Sequence, residues 1–413
     1  MSTGPTLQQP SPRFVAGSAL ALAAVLFSSI LTIWVTRWSV SLLEAGVLAL
    51  AAVWSGLMVF RPGQVRGSFA LIPLAGAVSI GVVQLMTGHT VNRWATWNAV
   101  LLWTTYLASF FVALQVCASP ERLAMFRRAL LYFAFGLSVV SVLQFFTSPG
   151  KVYWLFQSGY ENEVLGPFVS RDQYAAFIEL VFPIALFEAL TDRRRTLLHT
   201  AIAGTMFASV LAGASRAGSA LLVAEFAAVP LLAAFRGLVR AKKLRPAFIS
   251  LLLFTLAFGS VVGWTTLWQR FQDPEPYKYR REMLLASVAM TRKKPWTGFG
   301  LGSFEDVYRG YALFDNGTIV NHAHNDWAEW AAEGGLPFAA LMAVLALWSV
   351  PKAVRSIWGL GIISVLLHSL VDFHLQKPAI AAWMFVLLGA VCAEGNSRTR
   401  SRQHREDLAD ING

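Results

Sequence analysis

Apolar runs long enough to cross a bilayer recur from one end of this chain to the other, and nothing else in the sequence restricts its fold as strongly. A helix needs about 17 to 25 residues to span the hydrocarbon layer. Runs of roughly that length are read near 14–36, 39–60, 68–88, 95–118, 125–147, 172–190, 196–213, 217–235, 247–268, 327–350, 356–371 and 378–393. Composition agrees: 56% of the 413 residues are hydrophobic and 14% charged, where a soluble protein carries roughly a quarter charged residues. The first run has an apolar core of about 20 residues and no small-residue cleavage site followed by a soluble domain, so it reads as a spanning helix and not as a signal peptide.

The expectation is an all-α integral membrane protein of about twelve transmembrane helices. Its parts are a cytoplasmic N-terminus (1–13), helices one to nine (14–268), a long loop on the outer side (269–326), helices ten to twelve (327–393) and a basic cytoplasmic tail (394–413).

Basic residues orient the helices, because cytoplasmic loops carry the positive excess. With both termini inside, the inner segments hold 20 of the 34 Lys and Arg, among them Arg193–Arg195, Arg236–Arg245 and the tail. The short outer loops hold six: Arg37, Arg93, Lys151, Arg171, Arg216 and Lys377. The other eight lie in the long outer loop, a length at which the rule lapses. The net charge of +11 is therefore a topology signal attracted to anionic lipid, and it calls for no nucleic-acid partner. No Walker loop, dinucleotide fingerprint or zinc-ligand pair is present. Cys117 and Cys392, the only cysteines, offer neither a disulfide framework nor a thiolate site.

Residues costly in a membrane mark function, and here they gather on the outer side. Arg171 opens the sixth helix in "GPFVSRDQYAAFIEL" and Arg216 the eighth in "AGASRAGSALL". Both stand at the helix end where the dipole disfavours a cation, so an anionic group is expected to compensate. Glu179, about 12 Å further along than Arg171, and Glu225 read as buried polar anchors. Asp372 and His374 in "LVDFHLQKPA" form a further polar cluster. The acid pairs Glu161/Glu163 and Asp273/Glu275 have spacings common by chance, and no metal is expected.

The stretch "NHAHNDWAEWAAEGGLP" (321–337) carries the sharpest signal. Asn325 or Asp326 suits an N-cap, and Asp326 with Glu329 has capping-box spacing. That leaves His324, just before a helix N-terminus, where the dipole and nearby arginines favour the neutral imidazole a general base requires. The same terminus suits a phosphate.

Taken together, these segments resemble the O-antigen ligase and polysaccharide polymerase superfamily. In "HNDWAEWAAEGGLPF", His324 and Asn325 precede residues 326–334 and Gly335, as a histidine and a small polar residue precede a Gly-x-x-Gly-like element in that family. Phe338 departs from the family's small or hydroxyl-bearing final position. "GPFVSRDQYAAFIEL", "SRAGSALL" and "RREMLLASVAMTRKKPWTGFGLGSF" are similar to three further family segments, in the same order, so the resemblance runs from about residue 160 to 390.

The resemblance implies a GT-C-like membrane glycosyltransferase of the bacterial inner membrane, metal-independent and without cofactor, with its active site facing the periplasm. Its donor would be a glycan on undecaprenyl diphosphate, and its acceptor another glycan or a lipid A core. His324 would be the base of an inverting transfer. Arg216 and Arg280 would bind the diphosphate, Arg280 being preferred to Arg281 by counting back from Pro295, with Arg171 and Asn325 as further substrate contacts. His322, Asp326, Glu329 and Asp372 would support them.

The long loop would act as a lid that turns at Gly298, Gly300 and Gly302. Trp296, Trp327 and Trp330 would stack on sugars or sit at the lipid interface. Ligase, polymerase and protein O-glycosyltransferase stay open within the family. A transporter or flippase of lipid-linked glycans is the alternative outside it. Against transport stand the lack of an internal repeat, common in transporters, and the one-sided placement of the polar residues.

Overall fold

The structure is a computed structural model. It describes residues 10–412 apart from 36, 61–64, 161–162, 240–248, most of 250–264, 273–277, 314–316 and 318, and the side chains only as far as residue 395. The helices are α1 (Pro12–Leu31), α2 (Trp38–Phe60), α3 (Leu71–Thr87), α4 (Arg93–Val116), α5 (Pro120–Thr147), α6 (Arg171–Thr191), α7 (Thr196–Gly213) and α8 (Arg216–Phe235). They continue with α9 (Thr265–Phe271), α10 (Lys278–Lys293), α11 (Phe304–Tyr308), α12 (Asp326–Ser356), α13 (Gly361–His368) and α14 (Pro378–Asn412). A 3-10 turn (His374–Gln376) joins the last two. The strands among the described residues are a two-residue pair, Lys151–Val152 with Phe156–Gln157.

Nine described helices are long and apolar enough to cross a membrane, and Leu71–Thr87 is a shorter apolar one. The expected ninth run, 247–268, lies mostly outside the described residues. The eleventh, 356–371, is corrected: its helix covers only the eight residues Gly361–His368, about 12 Å at 1.5 Å per residue, and turns complete the segment on either side. The reason is packing. A Cβ on Gly361 would lie 2.2 Å from the Glu179 carbonyl oxygen, and the segment 356–366 is almost wholly buried. Irregular backbone is tolerated at membrane depth where protein, not lipid, surrounds it.

Helix starts follow the sequence. Ser11 caps α1 ahead of Pro12, Ser119 caps α5 ahead of Pro120, and Asn92 and Ser215 cap α4 and α8, each accepting from a first-turn N–H. Each cap satisfies a donor that has no intrahelical partner. Helix α6 forms the centre: from Gln173 to Ala189 every residue except Phe187 is buried, as expected for a helix apolar on all sides. Small residues draw its neighbours in. A Cβ on Gly218 of α8 would meet Ala175 at 2.5 Å, and one on Gly389 of α14 would meet the Phe110 carbonyl of α4 at 2.6 Å. At the periphery, Leu20, Leu42, Val53 and Val59 of α1 and α2 face outward, the apolar surface lipid requires.

Helix α12 is broken at Gly335, with φ 73° and ψ 179°. A side chain there would meet the Pro295 carbonyl at 2.8 Å, and Leu336 N donates to that carbonyl at 2.7 Å. Gly298, Gly300 and Gly302 all have positive φ, and a Cβ on Gly298 would lie 2.0 Å from Glu333 O. Gln84 of α3 fastens this turn, donating to Thr297 O and Glu333 O and accepting from Leu301 N. The part of the long loop around 295–304 is thus docked on α3 and α12. Phe338, where the family has a small residue, is fully buried with its ring 5.0 Å from that of Trp103.

Candidate active site

Four N-terminal helix ends and one turn meet at one end of the bundle. Ser215, the cap of α8, donates to Asp172 Oδ1 at 2.6 Å, which ties α8 to the first turn of α6. From α10, Arg280 donates one nitrogen, Nη2, to Asp172 Oδ2 at 3.2 Å and to Asp372 Oδ2 at 3.0 Å. The other oxygen, Asp372 Oδ1, lies 3.1 Å from His324 Nδ1 and accepts from Phe373 N. Burial pushes the Asp372 carboxyl up, but the His324 hydrogen bond and the Arg280 charge outweigh it and hold the group below the ordinary carboxylate range. An ionised carboxylate only accepts, so His324 donates from Nδ1, and a neutral ring held this way has its lone pair on Nε2. The His324 side chain is 33% exposed and Asp372 5%, so the imidazole can be reached while its partner is sheltered.

His324 sits in the left-handed region at φ 49°, a conformation that costs a non-glycine residue of the order of 1–3 kcal/mol and persists only where the surroundings enforce it. Asn325 supplies part of that enforcement: its Oδ1 caps α12 at Ala328 N and its Nδ2 donates to Leu370 O. The His324 and Phe373 rings pack T-shaped, centroids 4.6 Å apart.

The capping box expected of Asp326 and Glu329 does not form, because the cap is Asn325 and the register is one residue off. Both acids instead hold neighbouring backbone. Asp326 accepts from Leu375 N, and its own N–H points to Ser369 O, fixing the turn that carries Asp372. Glu329 accepts from Ala323 N and lies 2.9 Å from His322 Nδ1. His322 in turn stacks on Phe373 with centroids 4.5 Å apart.

The arginines divide into two groups. Arg280 clamps carboxylates. Arg171, paired with Glu163, and Arg216, which donates to Arg270 O, lie with Arg270, which donates to Ala214 O. Burial pushes the Arg270 guanidinium down and the charges of Arg171 and Arg216 act in the same direction, with Asp172 and Glu163 opposing. Arg281, one position from Arg280 on α10, is exposed. Of the acid pairs considered for metal binding, Glu163 is engaged by Arg171, and Glu161, Asp273 and Glu275 lie outside the described residues. The tryptophans also separate: Trp296 is 73% exposed, Trp327 donates to Ser369 Oγ, and Trp330 is buried against Trp103 and Trp327. Trp330 is therefore a core residue and no sugar platform.

Sequence reasoning missed Asp172 and Arg270. Asp172 follows Arg171 directly and could have been noticed as a helix-start acid, but nothing local marks Arg270, 54 residues from its partner Arg216.

Residues 201–343 match a family model described as O-antigen ligase. The match bears out the resemblance and takes in Arg216, Arg280, His322 and His324, while Arg171, Asp172 and Asp372 lie beyond it. No curated protein matches the chain.

Proposed function

We propose, from the premise that residues 201–343 form an O-antigen ligase domain, that this chain transfers a glycan from an undecaprenyl diphosphate carrier to a sugar hydroxyl at the periplasmic face of the bacterial inner membrane. One observation supports the reading above the others: Asp372 shares its two oxygens between Arg280 and His324 Nδ1, which orients a reachable imidazole with its lone pair on Nε2.

In the step this implies, the acceptor hydroxyl oxygen attacks the anomeric carbon and its proton passes to His324 Nε2. The bond from that carbon to the phosphate oxygen breaks, and the diphosphate leaves with the electron pair, inverting the configuration. A base of this kind is worth roughly 10²–10⁴ in rate. The leaving charge needs fixed donors, and the group Arg171, Arg216 and Arg270 gathers three guanidiniums against Glu163 and Asp172. Bidentate arginine donors suit a diphosphate and need no ion on the donor. In this reading Arg280 is a positioning residue for Asp372, and Arg281 has no part.

The test is the size distribution of carrier-linked glycan in cells whose only copy bears His324→Ala. Long chains stranded on the carrier identify a ligase acting on a lipid A core, and single repeat units identify a polymerase. A wild-type distribution removes His324 from the mechanism. New glycosidic bonds made by the purified protein exclude a flippase, and a protein acceptor labelled in the same assay identifies protein O-glycosylation.

A further inference from the structure

Behind the His324–Asp372 pair lies a cluster that the transfer reaction does not use. His368, the last residue of α13, and His374 in the 3-10 turn are fully buried, with ring centroids 4.1 Å apart and planes at 71°. His368 Nδ1 lies 2.8 Å from Glu179 Oε1. Among the described residues, His368 Nε2, both ring nitrogens of His374 and Glu179 Oε2 have no hydrogen-bond partner. Buried polar atoms are nearly always satisfied, and four such atoms on three neighbouring side chains point to a shared ligand.

The donor chemistry indicates a cation. One atom each from His368, Asp372 and His374 lie within 4.8 Å of one another. In its neutral form with Nδ1–H committed to Glu179, His368 would present the Nε2 lone pair, the carboxylate–histidine arrangement that orients a metal ligand. A carboxylate has about four lone-pair sites, and Asp372 gives three to His324, Phe373 N and Arg280, so one remains.

We propose that His368 Nε2, a ring nitrogen of His374 and Asp372 hold a divalent transition-metal ion of the zinc class, with Glu179 orienting His368. Imidazole donors suit such ions, whereas magnesium and calcium prefer all-oxygen sites. The three atoms, within 4.8 Å of one another, close further to reach bonds of about 2.0–2.2 Å. The ion does not touch the donor. It is a structural tie between the end of α13 and the turn that carries Asp372 and His374, and the transfer itself stays metal-independent.

The experiment uses the full chain, purified, stripped with chelator and titrated with Zn²⁺ or Co²⁺. Bound metal per chain, the Co²⁺ d–d absorption and the melting temperature are read for wild type, His374→Asn, Glu179→Gln and the control His322→Ala. About one ion per chain with a raised melting temperature is expected for wild type and control. His374→Asn should lose at least tenfold in affinity, and Glu179→Gln roughly 10–100-fold. If wild type binds no stoichiometric ion, or if His374→Asn binds it unchanged, the site does not exist. Should the variants fail to fold, the wild-type metal content and melting shift still decide. Because no readout depends on glycan transfer, failure here leaves the transferase reading standing, and failure of that reading leaves the ion measurable.

Discussion

At one end of the bundle Arg127 of α5 pairs with Glu188 of α6 at 3.1 Å, its guanidinium over the rings of Phe187 and Trp358 at 5.4 and 5.5 Å. At the other, Arg280 divides one nitrogen between Asp172 and Asp372. Both set an arginine against carboxylate, and the shelter is similar: side chains are 15% and 12% exposed in the first pair, and 25%, 16% and 5% in the second group. What separates them is continuation. Aromatic faces close the Arg127 pair, so its charge ends in packing. The Asp372 carboxylate continues to His324, a third exposed, and so passes its orientation to an imidazole that substrate can reach. A sheltered ion pair is structural or functional according to what its second oxygen holds.

That contrast can be broken or sharpened. The largest effect is expected from His324→Ala, a loss of roughly 10²–10⁴ in turnover measured with purified protein and a lipid-linked donor. Unchanged turnover would end the comparison.

Asp372→Asn is expected to lower kcat by roughly 10²-fold while KM for the donor moves little, since an amide no longer fixes the histidine tautomer. An equal rise in KM would instead assign Asp372 to binding. Replacing Arg216 or Arg270 by Ala should act mainly on donor affinity, by about 1.5–3 kcal/mol for each lost charged hydrogen bond, read from donor binding at fixed salt.

The smallest effect on turnover is expected from Glu188→Gln. Removing half of the closed pair should lower the melting temperature, at a cost of about 2 kcal/mol, with kcat intact. If kcat fell as far as it does for Asp372→Asn, the distinction between closed and continuing pairs would be wrong.

Much of the fold and part of the site were legible in the sequence. Hydrophobic run length marks spanning helices without reference to anything distant, and Ser119 with Pro120 or Ser215 before Arg216 marks where they begin. His324 stood out because a helix start explains its neighbours and leaves it over. Asn325 is the one of the two offered caps that forms, and only the capping-box spacing of Asp326 and Glu329 misled: with Asn325 as cap, both are free to hold the turns at 375 and 323. Arg280 was singled out from the sequence as a diphosphate contact, yet its partners are two carboxylates 108 and 92 residues away.

The sequence by itself determined that the chain is a helical membrane protein, and it singled out polar residues gathered towards one face with a histidine just before a helix N-terminus. Those features follow from local propensity and from the cost of polar groups in hydrocarbon, both readable residue by residue. Only the tertiary structure decided which carboxylate orients His324, that Arg280 serves that carboxylate, and that His368 and His374 meet in the interior. Each of these is a pairing between elements, and a pairing is set by how closely helices approach. Here Gly218 and Gly361 permit that approach against α6, and no local pattern records it.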